Sequence, residues 1–258
     1  MDPRGRGPVA RRNGGTHLPP PEGAANHSGR SASPLKGSRA RILRKGTLAV
    51  VIRPAVPTDI QPLSNVLARA FRDDPGFAWM LPRRETRAPR LRGVFATMLR
   101  AEALRYGGVE VALAEGRLVG GAIWFPPNHW QPTRSEQVRS RPGYAQALGR
   151  QLSRATSFVQ SLARVHPSEP HWYLVSIGVE PEFQGRGVAG SLLRSRLDRC
   201  DRSGESAYLE ASNPAGIPIY RRFGFQPTAI PKLPDGAPAI TPMWRSPTPR
   251  RAPSDPGI

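Results

Sequence analysis

Hydrophobic positions follow strand and helix periods from Thr47 onward. The apolar run 47–55 predicts a strand. A helix is predicted next, with Thr58 or Asp59 as its N-cap, and 73–76 (Asp-Asp-Pro-Gly) is expected to end it. A second amphipathic pattern spans 85–106. The first part of the chain therefore predicts one strand followed by two helices.

The remaining pattern alternates strands with helices. Residues 109–127 predict a hairpin that turns at Glu115-Gly116. Strands are then predicted at 171–181, 206–212, 223–230 and 238–245, after a polar, partly helical excursion over 127–170. This order predicts an α/β fold with a mixed sheet, in which a hairpin leads into a β-α-β unit.

Composition limits the classes of protein that fit. The 258 residues allow one medium domain with tails, and the single cysteine, Cys200, excludes a disulfide framework and a multi-cysteine zinc site. No apolar run approaches the roughly 20 residues that cross a bilayer. The basic N-terminus has no apolar segment of the kind a secretory signal has. We therefore expect a cytoplasmic protein without a membrane partner.

The net charge of +19 is unevenly distributed. Residues 1–45 contribute +8 and are rich in Pro and Gly, so we predict a disordered basic tail there. That tail is open to three interpretations: a recognition segment, a solvated extension, or a start assigned too far upstream. Residues 46–246 are predicted to form the folded domain, and 247–258 a second disordered tail. Because 35 of the 38 basic residues are arginines, compositional bias explains much of the charge.

A glycine-rich loop follows the strand at 171–181. It contains Gly185, Gly187 and Gly190, and the helix that begins within it carries apolar residues at helical spacing. Small residues let the backbone approach a ligand closely, and the N–H groups of a first helical turn attract an anion. Arg186 adds positive charge. The loop therefore predicts either a phosphate site or a tight strand–helix turn.

Two common phosphate motifs fit this loop poorly. It lacks the Gly-Lys-Ser/Thr end of a Walker A motif. Gly-Arg-Gly-Val-Ala-Gly at 185–190 matches the dinucleotide fingerprint formally, and Glu205 or Glu210 is near the expected acidic position. That fingerprint belongs to the first strand–helix unit, whereas this loop lies deep in the chain with few such units around it.

A family resemblance begins at this loop. Gln184-x-x-Gly187-x-Ala189 resembles the Gln/Arg-x-x-Gly-x-Gly/Ala signature of the GNAT superfamily of N-acetyltransferases. The segments HWYLVSIGVEPEFQGRGVAGSLL, AYLEASNPAGIPIYRRFGF and PMWR, with AFRDDPGFAWMLP and VGGAIWFPP upstream, resemble the bacterial subgroup that contains puromycin N-acetyltransferase. The resemblance covers about residues 48–246 and leaves the N-terminal tail without a counterpart.

The resemblance implies a GNAT fold with a splayed central strand pair, acetyl-CoA as donor and a small-molecule amine as acceptor, with no metal. The cofactor's pantetheine arm is expected on the main chain of Ile177 and Val179 and on the Asn213 amide. Its pyrophosphate is expected on the N–H groups of the loop, which comprises Gln184, Gly185, Arg186, Gly187, Val188, Ala189 and Gly190. Asn213 also suits an N-cap before Pro214, and both roles stay open.

Two residues are candidates for the chemistry. The resemblance implies that Tyr220 acts as the general acid for the leaving thiolate, although its spacing also fits a core tyrosine. Glu210 lies on a strand with Tyr208 on the same face, so it either accepts the amine proton or pairs with an arginine. Glu180 is a second candidate base, but it leaves its strand toward the loop.

Aromatic residues are candidates for the acceptor site. We expect Trp79 and Trp130 to lie in loops that flank the acceptor cleft, and the excursion 127–170 to cover it. Trp124 and Trp172 lie on predicted central strands and are expected in the core. His129, His166 and His171 are too scattered to predict a metal site, and hydrogen-bonding roles are expected for them.

A second function class follows from charge alone. A basic nucleic-acid-binding protein with a degenerate acetyltransferase-like domain would explain the composition. However, no zinc-finger or helix-turn-helix pattern is present in the sequence, and aromatic residues are not interleaved with the basic runs. The sequence therefore favours an acetyltransferase that joins acetyl-CoA and an amine in a ternary complex, without a nucleic-acid partner.

Overall fold

The computed structural model describes residues 49–228 and 230–248. The predicted tail 1–45 lies outside the described residues, as does the predicted tail 247–258 apart from Pro247 and Thr248. Thr248 is tied to the domain, because its N–H donates a 2.7 Å hydrogen bond to Asp201 Oδ1. Thr248 thus contacts helix residue Asp201, although it belongs to the predicted tail.

A seven-stranded mixed sheet runs through the centre of the domain, in the order β1-β2-β3-β4-β5-β7-β6. Its strands are β1 (Val50–Pro54), β2 (Val109–Ala114), β3 (Arg117–Phe125), β4 (His171–Val179), β5 (Ser206–Ala211), β6 (Gln226–Pro227) and β7 (Thr241–Arg245). Among the strand pairs of the described residues, only β4–β5 is parallel. The mixed α/β class predicted from the hydrophobic pattern is therefore confirmed.

In the part of the chain that the structure describes, seven α-helices surround the sheet. They are α1 (Ile60–Ala70), α2 (Pro75–Met80), α3 (Arg84–Met98), α4 (Arg134–Leu148), α5 (Leu152–Ala163), α6 (Val188–Ser203) and α7 (Ile217–Arg222). A π-helical turn, Leu99–Ala103, continues α3. One apolar cluster joins the sheet to α1, α3 and the excursion helices, and a second joins it to α6 on the other face. The sheet is thus buried on both faces, as α/β domains require.

Two predicted elements differ from the structure. Residues 73–76 were expected only to end a helix, but Asp74 caps a new one, α2, by accepting the Phe77 N–H at 3.1 Å. The predicted strand 223–230 is reduced to Gln226–Pro227 on the sheet edge. Proline lacks the N–H that a strand ladder needs, which limits pairing there.

The parallel pair β4–β5 opens partway along its length. Its register covers His171–Leu174 of β4 and Ser206–Leu209 of β5, while β4 continues to Val179. Meanwhile β3 stays paired with β4 as far as Gly120 and Val179. The last five residues of β4 therefore separate from β5 and leave a gap, and this is the predicted splay.

No helix in the described ranges is long and apolar enough to cross a membrane.

Candidate active site

A cavity of about 820 Å³ opens at the gap between β4 and β5. Its walls are mostly apolar and come from α2, α3, α5 and the two strands, with Val94, Met98, Phe125, Leu152 and Phe158 among the lining residues. A few polar side chains converge on it, including Glu102, His166, Glu210, Asn213 and Tyr220. An apolar cavity of this size with few polar groups is typical of small-ligand sites.

Main-chain groups of β4 point into the gap. The Glu180 N–H donates to the Val119 carbonyl of β3 at 2.8 Å. Because successive residues of a strand point their main-chain groups to opposite sides, Ile177 and Val179 face the gap. Val179 is partly engaged, since its carbonyl accepts the Gln184 Nε2 at 3.1 Å. This edge fits an extended, amide-containing ligand.

The glycine-rich loop after β4 has the backbone of an anion site. Gly185 and Gly187 have φ angles of 73° and 85°, which favour glycine, and no side chain caps the start of α6. The first bond of α6 runs from Ser191 N–H to Gly187 carbonyl at 3.0 Å. The N–H groups of Val188, Ala189 and Gly190 therefore have no acceptor within that helix.

Gln184 and Arg186 contribute differently from the other residues of the predicted phosphate loop. The Gln184 N–H is bonded to the Pro181 carbonyl at 3.3 Å, so the open N–H groups begin after it. The Arg186 guanidinium lies 5.4 Å from the Phe183 ring centre, which keeps positive charge beside the loop. The donor set that remains, backbone N–H groups with one nearby cation, fits a diphosphate.

Tyr220 lies on α7 and lines the cavity. Burial, aided by the negative charge of Asp74, raises the pKa of its phenol to about 12. The phenol therefore stays protonated at neutral pH and can donate a proton. Asp74 itself is held in place by the Ser212 hydroxyl and by its role as cap of α2.

Asn213 performs the capping role and still lines the cavity. Its side-chain oxygen accepts the Ala215 N–H at 3.0 Å, at the start of a 3-10 turn. The capping bond uses the oxygen and leaves the amide N–H groups as donors toward a ligand. The two roles that the sequence left open are thus compatible.

Glu210 is bound by two phenols. The Tyr173 hydroxyl donates to its Oε2 at 2.7 Å and the Tyr208 hydroxyl to its Oε1 at 3.2 Å. Burial and this carboxylate raise the pKa of both tyrosines, which keeps both hydroxyls protonated. The arginine partner that the sequence allowed for Glu210 is not found among the described residues. Glu180, the other candidate base, is buried and paired with Arg69.

The two tryptophans proposed for the acceptor site are placed differently. Trp130 lines the cavity and stacks on His166 with ring centres 3.7 Å apart. Trp79 lies in α2 rather than in a loop, and Phe158 and the Arg154 guanidinium cover it. Trp79 is absent from the described cavity lining. The structure therefore brings only Trp130 to the cavity.

Sequence reasoning missed His166 as a site residue. It follows α5 within the excursion, and no periodicity marks it. Its side chain is 2% exposed and lies beside Glu210 and His171. Within the described ranges, no group of three or more His, Cys, Asp or Glu side chains is arranged to hold a metal ion.

Comparison with protein families and curated sequences points to one class of enzyme. The family described as "Acetyltransferase (GNAT) family" matches residues 68–225. An uncharacterised N-acetyltransferase of Schizosaccharomyces pombe is 43% identical over 54 residues, 21% of this chain and 22% of that protein. The N-alpha-acetyltransferase RimI of Mycobacterium tuberculosis is 41% identical over 68 residues, 25% of this chain and 42% of that protein. This chain thus spans less than half the length of both curated relatives.

Solved structures share the fold. A Corynebacterium glutamicum structure described as histone acetyltransferase HPA2 and related acetyltransferase is 28% identical, with a TM-score of 0.61 over 77% of this chain and 97% of that one. An N-acetyltransferase of Staphylococcus aureus is 16% identical, with a TM-score of 0.52 over 75% of this chain and 99% of that one. The second likeness concerns the fold alone.

Proposed function

The chain belongs to the GNAT family of acetyltransferases, and we propose that it transfers the acetyl group of acetyl-CoA to the primary amine of a small molecule. The observation that carries this proposal is the cavity between the separated strands. It joins the open edge of β4, Tyr220 and Glu210 in one space. The nucleic-acid-binding alternative is not favoured, because one cavity still carries the open edge of β4, Tyr220 and Glu210, which a degenerate acetyltransferase domain has no need to keep.

We assign the donor to the β4 edge and the glycine-rich loop. Ile177 and Val179 would bind the amides of the pantetheine arm, and the Asn213 amide would support them. The N–H groups of Gly185 to Gly190 would bind the pyrophosphate, with Arg186 nearby. Acetyl-CoA would supply the acyl group as a reactive thioester. Its negative charges suit a helix start that has no side-chain cap.

The chain's own residues provide the proton transfers. Glu210 would accept a proton from the amine, because a charged ammonium has no lone pair for attack. Tyr220 would donate a proton to the departing thiolate, because its raised pKa keeps it protonated. Holding both substrates in one cavity makes their reaction effectively unimolecular. Direct attack needs no enzyme nucleophile, and Cys200 is buried with a thiol pKa raised to about 11.

The acceptor is proposed to be small and partly apolar. The excursion helices α4 and α5 contribute apolar side chains to the cavity, including Leu148 and Leu152, together with the aromatic Trp130. We further propose that the acceptor is an antibiotic-like or toxin-like amine, as the resemblance to the puromycin N-acetyltransferase subgroup suggests. The partial match to RimI, an N-alpha-acetyltransferase, supports a second candidate, the N-terminus of a protein.

A panel of amines tests the proposal. The full chain is mixed with acetyl-CoA and puromycin, spermidine, kanamycin or a peptide with a free N-terminus, and thiol release is followed. We expect the highest kcat/KM with puromycin, the acceptor with an apolar aromatic body. Turnover of the peptide alone would contradict a small-molecule acceptor. Failure to bind acetyl-CoA by calorimetry would contradict the whole proposal.

The extent of the catalytic unit stays a prediction. We propose that residues 46–246 form the catalytic unit.

A further inference from the structure

His166 and Glu210 face each other at the wall of the cavity. His166 Nδ1 lies 3.7 Å from Glu210 Oε1, and the two side chains are 2% and 7% exposed. Both residues line the cavity. The protons on the neighbouring groups determine what this pair can bind.

The first constraint is the position of the proton on His171, the residue that begins β4. Its Nδ1 lies 2.6 Å from the Glu169 carbonyl oxygen. Since a carbonyl can only accept, Nδ1 carries the proton, and the Nε2 of a neutral ring must then be an acceptor. Burial lowers the pKa of His171, which favours this neutral ring.

The second constraint is the hydrogen bond between His171 and His166, which determines where His166 carries its proton. Their Nε2 atoms are 3.0 Å apart, so one of them must donate. Because Nε2 of His171 is the acceptor, His166 donates from its own Nε2. A neutral His166 therefore presents an unprotonated Nδ1, the ring nitrogen that lies 3.7 Å from Glu210 Oε1.

The third constraint is the carboxylate. The Tyr173 and Tyr208 phenols already donate to Glu210 and hold it in position. Glu210 Oε1 already accepts the Tyr208 hydroxyl and keeps one further lone pair, whereas Nδ1 of a neutral His166 has no donor among the described residues. An acceptor without a donor is costly at a buried position, so the pair favours a ligand or a proton that donates to both atoms.

We propose that Glu210 and His166 form an acceptor dyad that binds the two N–H groups of a primary amine and takes the proton that the ammonium must lose. This inference rests on the proposed function. At a separation of 3.7 Å, one nitrogen can reach both acceptors at hydrogen-bond distance. The amine lone pair then stays free for attack. A secondary amine offers only one N–H and leaves one acceptor unsatisfied.

The proton balance of the transfer is complete with these groups. The ammonium loses one proton to the dyad, which passes it to solvent. The neutral nitrogen then donates its two N–H groups to Glu210 and His166 and forms a bond to the thioester carbonyl carbon. The carbon–sulfur bond then breaks, and Tyr220 protonates the thiolate. The nitrogen's second proton replaces the one that Tyr220 gave, so one proton in total leaves the dyad for solvent.

Trp130 supports the dyad from the excursion side. Its ring stacks on His166 at 3.7 Å with an angle of 22° between the planes. An aromatic face stabilises a protonated imidazole and fixes the orientation of the ring. The excursion thereby supplies both His166 and the residue that holds it.

The tautomers can be measured directly on the full chain. Nitrogen NMR of ¹⁵N-histidine-labelled protein is recorded alone, with n-butylamine, and with N,N-dimethylbutylamine. We expect the neutral His166 to be protonated at Nε2 and the neutral His171 at Nδ1. We also expect n-butylamine to shift the Nδ1 signal of His166 more than the tertiary amine does. A neutral His166 protonated at Nδ1, or equal shifts with both amines, would overturn the dyad.

Kinetics with n-butylamine and acetyl-CoA give a second readout. His166→Gln should lower kcat/KM about 10- to 100-fold, the lower part of the range for a lost acid–base group. His129→Gln, which alters a histidine that packs on Tyr106, is the matched control and should change it little. Unchanged kcat/KM in His166→Gln would contradict the proposal. Loss of acetyl-CoA binding in the unmodified chain would instead defeat the proposed function and leave the measured tautomers standing.

Discussion

Arg69 and Glu180 join helix α1 to the end of strand β4. The Arg69 Nε lies 2.9 Å and 3.2 Å from the two carboxylate oxygens, and Nη2 makes a further close contact. The carboxylate is buried, whereas the Arg69 side chain is half exposed. Since Glu180 directly precedes the turn into the glycine-rich loop, this ion pair fixes the base of the proposed donor site.

Removing Arg69 is expected to destabilise the protein. Arg69→Leu leaves the Glu180 carboxylate buried without its partner, and the free energy of unfolding in urea should fall by about 1–3 kcal/mol. Arg117→Leu is a suitable control. It breaks a pair with Glu182 in which both side chains are more than half exposed, and it should cost less than about 1 kcal/mol. Equal losses in the two variants would contradict a structural role for Glu180.

Tyr220→Phe is expected to separate catalysis from binding. The variant removes a proton donor but keeps the ring, so kcat should fall about 100-fold or more while the acetyl-CoA Kd changes little. Thiol release and calorimetry measure the two quantities. Tyr106→Phe, which removes a hydroxyl bonded to Glu136 outside the cavity lining, should leave kcat near its starting value. A comparable kcat in Tyr220→Phe would exclude Tyr220 from the mechanism.

The Tyr220 phenol also predicts how kcat depends on pH. Its pKa is raised from 10.0 to about 12, so it stays protonated in the folded protein where an ordinary tyrosine would begin to ionise. We therefore expect no descending limb of kcat between about pH 8 and about pH 10. The profile is measured with an acceptor at saturating concentration. A fall in kcat within that range, without loss of folded protein by circular dichroism, would contradict the assignment.

Gly187→Glu is expected to weaken acetyl-CoA binding. The substitution places a carboxylate at the start of α6, where an anion should bind, and a side chain at a φ of 85°. Gly204→Glu is the matched control, because Gly204 ends the same helix with a φ of 69° and has open space around its Cα. Both variants should lose some stability through backbone strain. Only Gly187→Glu should raise the acetyl-CoA Kd, by about 10-fold or more.

Replacing Trp130 is expected to weaken acceptor binding, whereas replacing Trp79 is expected to destabilise the fold. Trp130→Ala removes an aromatic wall of the cavity and should raise the KM of the amine several-fold. Trp79→Ala should lower the free energy of unfolding instead, because Trp79 packs on Phe158 and Arg154 outside the cavity lining. Steady-state kinetics and urea unfolding of both variants test this difference. A larger rise of KM in Trp79→Ala would restore Trp79 as an acceptor residue.

Local patterns predicted the glycine-rich loop and the strands around it well. Gly185 and Gly187 adopt the left-handed conformations that glycine favours, and α6 begins at Val188, inside the predicted loop. The hairpin turn at Glu115-Gly116 is also where it was expected. These features depend on residues close together in the chain, so backbone preference and hydrophobic period are enough to locate them. The length of β6 was predicted less well. Its apolar residues suggested a strand over 223–230, but Pro227 has no N–H for the strand ladder, and the observed strand is Gln226–Pro227.

The sequence by itself determined the mixed α/β class and most of the element order. It also placed the two proposed catalytic residues, Tyr220 and Glu210, on a helix and a strand. Only the tertiary structure decided what surrounds them. His166 and Trp130 come from the excursion, Tyr173 from β4 and Glu210 from β5, and they meet because α5 and its following loop pack against the open strand pair. Such a meeting depends on side-chain packing between segments far apart in the chain. Periodicity within one segment carries no information about it.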